Sequence, residues 1–279
     1  MITHPNCKIN LALHITHRRP DGYHDLQSVF IPIPLCDELE INLSDHFSFQ
    51  QNGIAIDCSV EDNVVVKSYR LMQRLYPTKT GNVAIRLNKH IPFGAGLGGG
   101  SSDAAFTIKM INHLFNLGLD SKTLRQIAAK IGADCPFFID NTTALAQGIG
   151  DNLTQLGYNP IQDYTLFLVK PDVAISTAEA YGGIIPRDRL QSKTPIDITA
   201  VLRLPIEEWR YHLENDFEKN IFLKHPLLAH IKKEMYSSGA LYASMSGSGS
   251  TIYGIFNSNM ELDRLLALFS DHAKFVFQL

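Results

Sequence analysis

The stretch "IPFGAGLGGGSSDAA", residues 91–105, carries five glycines, at 94, 96, 98, 99 and 100, followed at once by Ser101, Ser102 and Asp103. In front of it, Val83, Ile85 and Leu87 alternate as in a strand. Behind it, Ala104, Ala105, Ile108, Ile111, Leu114 and Phe115 recur at helical spacing, which puts Ser101, Ser102 and Asp103 at the helix start. A strand, a bare backbone and a helix N-terminus together present N–H groups beside a positive dipole, an arrangement suited to phosphate oxygens. A turn that was merely flexible would need neither flanking element, so phosphate binding is the preferred reading.

The spacing also excludes the commonest phosphate loops. Gly94, Gly96 and Gly99 satisfy GxGxxG, but the dinucleotide fingerprint requires a second strand ending in an acidic residue. Here the helix from 103 to 116 runs instead into "LDSKTLRQIAAKIG", a second helix. A Walker A loop needs a lysine where Gly100 stands. A protein-kinase loop would precede a VAIK lysine and a DFG, whereas "VAIR" lies before the loop and "NDFE" at 215–218 is no substitute. The loop supplies no lysine of its own, so catalytic charge must come from elsewhere in the chain.

Working outward, Ile9, Leu11, Leu13 and Ile15 alternate with Lys8, Asn10, Ala12 and His14, the period of a half-buried strand with Lys8 and Asn10 on its polar face. "RRPDGYH" then carries a turn signal at Pro20 and Asp21-Gly22, with Tyr23 and His24 at its lip, before an apolar run from Leu26 to Ile33. Strand-like alternation continues at Leu39, Ile41 and Leu43 and around Phe47 and Phe49. Asn52-Gly53 predicts a hairpin turn before "IAID". The first part of the chain thus reads as a mostly antiparallel sheet. Asp62 is the expected N-cap of a helix bearing Val65, Val66, Tyr69, Met72 and Tyr76, stopped by Pro77. A helix from Ser121 buries Leu124, Ile127, Ala128 and Ile131 and stops at Gly132. The polar "AQGIGDNLTQLGYNP" is the expected lobe boundary. Beyond it come a strand at "YTLFLVK", a helix near Thr177 and a helix from Pro226 carrying Leu228, Ile231 and Met235. The chain closes as strand, small-residue loop, strand, helix, strand, the second half of a ferredoxin-like unit.

Composition narrows the partners. With 279 residues, 45% hydrophobic and 19% charged, the chain has globular composition and a formal net charge of -3, with no run of like charges to grip nucleic acid or an anionic membrane. Cys7, Cys36, Cys58 and Cys135 form no CxxC pair and suggest neither a disulfide framework nor a thiolate zinc site. The basic N-terminus lacks a continuous apolar core and no apolar run approaches a membrane span of about 20 residues. A cytoplasmic protein, monomeric or weakly dimeric, with a small-molecule partner and neither nucleic acid nor membrane partners, is expected.

"PFGAGLGGGSSDAA", from Pro92 to Ala105, resembles the phosphate loop of the GHMP small-molecule kinases, which has the form P-x-x-x-G-L-G-S-S-A-A. "PNCKINLALHITHRRPDGYHDLQSVF" from Pro5 and "SMSGSGSTIYGIF" from Ser244 are similar to the branch of that family acting on 4-diphosphocytidyl-2-C-methyl-D-erythritol. The resemblance covers essentially the whole chain. It implies an α+β, two-lobed GHMP kinase fold, with a ribosomal protein S5 domain 2-like N-terminal lobe over residues 1–155, a ferredoxin-like C-terminal lobe over 156–279 and a substrate cleft between them. The activity implied is transfer of the ATP γ-phosphoryl group to the substrate's 2-hydroxyl, with Mg2+.

By the same resemblance, Asp134 in "GADCPFF" takes the hydroxyl proton and Lys8 stabilises charge beside it. ATP is expected at Pro92, Gly94, Ala95, Gly96, Leu97, Gly98, Gly99, Gly100, Ser101 and Ser102, with Asn63 and Lys89 on the nucleotide side. Acceptor binding falls to Asn10, Tyr23, His24, Thr177, Tyr181, Ser246, Gly247 and Ser248, with Tyr23 and His24 recognising cytosine and Tyr181 as the other wall. Spacing alone does not single out Asp134, which by itself reads first as a cap at a helix exit, nor Lys8, which reads equally well as part of a solvated strand face. His14 and His17 form HxxH without HExxH, so metal binding there is not expected. The Mg2+ ligands stay unassigned, and Asp103 is open between metal-bound water and a helix cap. Two rivals remain: a GHMP kinase for mevalonate, homoserine or a sugar, and a non-catalytic nucleotide-binding protein, against which the joint presence of Lys8 and Asp134 speaks.

Overall fold

The computed structural model describes residues 1–189 and 196–279. Strands β1 (Ile2–Thr3), β2 (Asn6–Arg18), β3 (His24–Cys36), β4 (Glu38–Leu43) and β5 (Ser48–Gly53) come first. They are followed by α1 (Val64–Leu75), β6 (Val83–Lys89), α2 (Gly99–Leu114), α3 (Ser121–Ala128) and α4 (Phe137–Asp140). Next are β7 (Ala144–Gln147), β8 (Asn152–Gln155), β9 (Thr165–Lys170), α5 (Thr177–Tyr181), α6 (Ile198–Val201) and α7 (Ile206–Trp209). The chain ends through α8 (Glu218–Lys224), α9 (Pro226–Ser237), β10 (Tyr242–Met245), β11 (Ile252–Phe256), α10 (Leu262–Leu268) and β12 (Ala273–Gln278).

These elements divide into two compact units that are not contiguous in sequence. One comprises Met1–Lys8, Pro34–Phe93 and Gly98–Thr142, the other Ile9–Ile33, Gly94–Leu97 and Thr143–Leu279. A single cut after residue 155 therefore does not describe the division. "AQGIGDNLTQLGYNP" is not a linker either: it holds the end of β7 and all of β8, which pair as an antiparallel hairpin, Ala146 opposite Leu153.

In the first unit, the alternating apolar residues of β4 and β6 face one another in antiparallel register, Leu39 opposite Leu87 and Ile41 opposite Ile85. The sheet order is β1-β4-β6-β5. Val65, Val66, Tyr69 and Met72 of α1 and Ala104, Ala105, Ile108 and Ile111 of α2 are buried at helical spacing. The hairpin predicted at Asn52-Gly53 does not form; β5 instead lies parallel to β6, Phe49 opposite Ile85, a pairing made across the intervening helix α1. Asp62 is not the cap of α1. A short 3-10 turn, Val60–Asp62, sits first, and Asn63 caps the helix by accepting a hydrogen bond from the N–H of Val65. Helix α3 ends at Ala128, ahead of the Gly132 stop, and α4 is an extra turn, "FFID", after Pro136.

The second unit holds the antiparallel sheet β10-β11-β9-β12, with α9 leading into β10 and α10 joining β11 to β12. That strand order is ferredoxin-like, as the closing sequence pattern predicted. Its core gathers Leu13, Ile15, Phe167, Val169, Phe217, Ile231, Met235, Ile252 and Phe256.

Candidate active site

Within the first unit, β6 delivers the chain to Ile91 and α2 takes it away from Gly99. Gly98, at φ +70, is the N-cap of that helix, a left-handed conformation open to glycine at little cost. A Cβ at Gly98 would sit 3.1 Å from Cε of Lys8 and 3.2 Å from the Phe138 ring, so the lysine stem lies directly against the loop backbone. Lys8 Nζ stands 3.4 Å from Oδ2 of Asp134. The lysine side chain is only 4% exposed and the aspartate 33%, so a buried cation meets a carboxylate that still reaches solvent. Asp134 caps neither neighbouring helix; α4 begins after Pro136 without a side-chain cap. The thiol of Cys135, next in sequence, is pushed up to about 12 by burial, against the pull of a hydrogen bond with Ser101, and is inert as a nucleophile at neutral pH.

The first turn of α2 leaves N–H groups without intrahelical acceptors, and Ser102 Oγ, fully buried, has no hydrogen-bond partner among the described residues. A buried unpaired hydroxyl at a helix N-terminus is costly unless a ligand oxygen or cation completes it. Lys8, Asp134, Gly98 and the α2 start are thus brought together. Pro92 is half-buried in front of them.

Lys89 and Asp103 follow a different pattern. Lys89 Nζ donates to Asp37 and, at 2.7 Å, to Oδ2 of Asp103, and all three side chains are 2% exposed or less. The other oxygen of Asp37 accepts from the N–H groups of His90, at 2.6 Å, and Ile91, at 2.8 Å. Burial pushes the Asp103 carboxyl up to about 8, opposed by Lys89 and reinforced by Asp37. For Lys89, burial alone would lower the ammonium, but Asp103 and Asp37 hold it above its ordinary value. Lys89 is thus sealed against these two aspartates, and Asp103 turns its Oδ2 onto Lys89 and does not cap α2.

Asn63 is likewise committed: Oδ1 caps α1, and Nδ2 donates to Gln51 Oε1 at 3.1 Å. It does line a cavity of about 310 Å3 walled by Phe49, Gln51, Ile56 and Val60. Asp37 and Gln51 were not anticipated. Neither stands in a spacing pattern that marks it.

In the second unit, Gly94, Ala95, Gly96 and Leu97 lie against the turn that follows β10. Ser246 Oγ donates to Gly96 O at 2.9 Å and the N–H of Thr251 donates to Ala95 O at 3.2 Å. A Cβ on Gly96 would fall 2.0 Å from Ser246 O, so only glycine allows this approach. Asn10 is 2% exposed, with its N–H on Ser246 Oγ and its Nδ2 on Ser28 Oγ. The solvated polar face expected for Lys8 and Asn10 is therefore covered. Gly247 is buried and Ser248 half-buried, and among the described residues neither N–H has a hydrogen-bond acceptor.

Tyr23 is 61% exposed at the lip of its turn, and Thr177, at the start of α5, is exposed. His24 stacks on Tyr181 with ring centroids 5.0 Å apart, a spacing that leaves no room for a third ring between them. Tyr181 therefore backs His24, and no ring fits between these two. Burial, then Arg18, lowers the His24 imidazole, keeping it neutral at pH 7 and able both to donate and to accept.

Residues 63–142 match the GHMP kinases N terminal domain and residues 199–273 the GHMP kinases C terminal domain. A curated relative named 4-diphosphocytidyl-2-C-methyl-D-erythritol kinase, from Parabacteroides distasonis, is 45% identical over 97% of each chain. This chain belongs to the GHMP kinase family. A relative of the same name from Bacteroides fragilis is 46% identical over 95% of each chain. Among solved structures, this GHMP kinase is similar to a 4-(cytidine 5'-diphospho)-2C-methyl-D-erythritol kinase, with TM-score 0.80, 28% identity and coverage of 99% and 98%. It shares its fold with a Methanococcus jannaschii mevalonate kinase at TM-score 0.69 and 17% identity, covering 99% and 97%. Among the described residues of this GHMP kinase, no group of three or more His, Cys, Asp or Glu could hold a metal ion, and no helix is long and apolar enough to cross a membrane.

Proposed function

We propose that the chain transfers the γ-phosphoryl group of ATP to the 2-hydroxyl of 4-diphosphocytidyl-2-C-methyl-D-erythritol, in non-mevalonate isoprenoid precursor synthesis in the cytoplasm. The observation that carries this reading is the Lys8–Asp134 pair set against Gly98 at the N-terminus of α2. The relatives' names and the "RPDGYH" turn supply the acceptor.

In this reading the amides from Gly98 to Ser101 receive the phosphate oxygens, and the cavity beside Asn63 takes the nucleoside end. Asp134 accepts the hydroxyl proton, which moves late in a loose phosphoryl-transfer transition state, so placement matters more than basicity. Lys8, held by burial and by the loop backbone, offsets the charge that develops on the acceptor oxygen. The Ser102 hydroxyl and the Asp134 carboxylate fit Mg2+, which is bound mainly through phosphate oxygens and one or two protein groups and would neutralise charge on them. The exposed Tyr23 ring and the His24 edge receive the cytosine, and the N–H groups of Gly247 and Ser248 offer contacts to an anionic part of the acceptor.

The test is a coupled assay of ADP release with ATP and Mg2+, run with the cytidyl alcohol, mevalonate, homoserine or no acceptor. Release is expected with the cytidyl alcohol alone. Turnover only with another alcohol would replace the acceptor assignment, and ATP binding without turnover on any acceptor would favour a non-catalytic nucleotide-binding protein.

A further inference from the structure

"NDFE", residues 215–218, serves none of the roles assigned above, yet within the second unit its side chains reach the turn after β10, the Tyr181 ring and strand β2. Asn215 is 3% exposed and spends both amide hydrogens on the turn after β10, donating to Met245 O at 2.7 Å and Gly247 O at 2.8 Å. Its Oδ1 accepts from the N–H of Phe217 at 3.0 Å, which fixes the direction of the carboxamide. Glu218 holds the same turn from its other end, accepting from the N–H of Met245 at 2.7 Å and from Ser244 Oγ at 3.0 Å, while Lys232 pairs with its second oxygen at 2.6 Å. Phe217 meets the Tyr181 ring edge-on, centroids 4.8 Å apart, and Tyr181 in turn stacks on His24.

The segment's backbone is tied to the strand that carries Asn10. The N–H of Leu13 donates to Glu214 O and the N–H of Asp216 to Leu13 O, both at 2.8 Å. Asp216 accepts from the N–H of Ile15 at 2.8 Å and from Arg187 at 2.5 Å and 2.8 Å. One short segment therefore fixes the Met245–Gly247 turn, the His24–Tyr181 stack and strand β2 relative to one another. Turning two carbonyls of that turn inward onto Asn215 leaves the N–H groups of Gly247 and Ser248 for a ligand, the arrangement of an anion-binding nest.

We propose that Asn215 is a positioning residue for the acceptor substrate, acting through the Met245–Ser248 turn, with Phe217 supporting the same side through Tyr181. The claim rests on the acceptor assignment made above, and its tests separate the two. In Asn215→Ala, the Michaelis constant for the cytidyl alcohol rises about tenfold or more while that for ATP stays within about twofold, since two hydrogen bonds to the acceptor-side turn are lost and none on the nucleotide side. Equal rises in both constants, or neither, would overturn it. Should that variant fold poorly, Phe217→Leu keeps an apolar side chain in the core and is expected to raise the cytidyl constant about threefold, again sparing ATP.

Hydrogen exchange gives a readout that needs no substrate. The amides of Ser246 and Gly249, each hydrogen-bonded within the native turn, exchange about tenfold faster or more in Asn215→Ala. Unchanged exchange there removes the positioning role even if the enzyme uses the cytidyl alcohol. Faster exchange in a protein that does not use that alcohol would keep the turn's dependence on Asn215 and discard the acceptor assignment alone.

Discussion

Two lysines in the first unit each face aspartate, and their partners differ in access to solvent. Lys89 is enclosed by Asp37 and Asp103, with all three groups at 2% exposure or less, and its partners are tied to the backbone entering the glycine loop and to the helix leaving it. Lys8 is equally buried along its stem, but its partner Asp134 keeps a third of its side chain in solvent beside Gly98. A carboxylate that remains accessible can exchange a proton with an arriving hydroxyl. One that is sealed can only hold its surroundings in place. On the function proposed above, the difference between a chemical pair and a structural one is access, not residue type.

The largest effect should come from breaking the sealed group. Lys89→Met leaves the Asp37 carboxylate, beside the Asp103 carboxyl, in a dry interior without a cation, and the loss of stability is expected at about 3–5 kcal/mol. Lys8→Met leaves Asp134 with water as a partner and should cost no more than about 1 kcal/mol. Urea unfolding at pH 7 of both variants checks the contrast. Equal losses would mean that the two lysines are alike in role.

Next in size is the chemical counterpart. Asp134→Asn keeps the shape of the side chain but removes the proton acceptor, and turnover is expected to fall at least ~100-fold. Its affinity for a nonhydrolysable ATP analogue should stay near that of the parent, while its unfolding midpoint falls modestly, because the buried Lys8 ammonium keeps an oxygen acceptor but loses its counter-charge. Near-normal steady-state turnover in this variant would remove Asp134 from the mechanism and leave the Lys8 pair as packing.

The same contrast explains what the sequence disclosed. Alternation at Leu39, Ile41, Val83 and Ile85, helical spacing from Ala104 and the closing strand, loop, strand, helix, strand order are local patterns, and the structure keeps them. The parallel partner of β5 was not legible, because Asn52-Gly53 is a turn signal by itself and only the sheet decides that the chain continues past it. Asp62 and Asn63 are adjacent cap-forming residues, and a 3-10 turn ahead of the helix selected the second. Lys8 and Asn10 have the phase of a polar strand face, but tertiary packing covers that face, and Ala12 at φ +56 interrupts the strand's regular geometry. The burial of Lys89 did leave a trace: it follows Val83, Ile85 and Leu87 in steps of two, on the inward phase of β6. A charge on that phase calls for buried partners, although Asp37, isolated between Cys36 and Glu38, carries no mark that identifies it as one. The loop itself was readable because backbone chemistry repeats locally. The supports around it are long-range.

The smallest of the three effects concerns the proton that the sealed group retains. The Asp103 carboxyl is raised from 3.8 to about 8 in the folded chain, whereas the unfolded chain releases that proton near ~4. Between those values the folded state binds a proton that the unfolded state has shed, so this group's contribution to stability falls as pH rises through the window and levels off above about 8. The raised Lys89 does not reverse the sign, since an ammonium held above its ordinary value keeps its contribution until the solution is more alkaline than that window. Asp103→Asn mimics the protonated form and should lose this slope, gaining on the parent by at most about 1.4 kcal/mol per pH unit between pH 5.5 and 7.5. Urea midpoints of the two proteins across that range measure the difference directly. Parallel curves would mean that both carboxylates are already ionised in the fold, and that the single ammonium balances two negative charges without help from a proton.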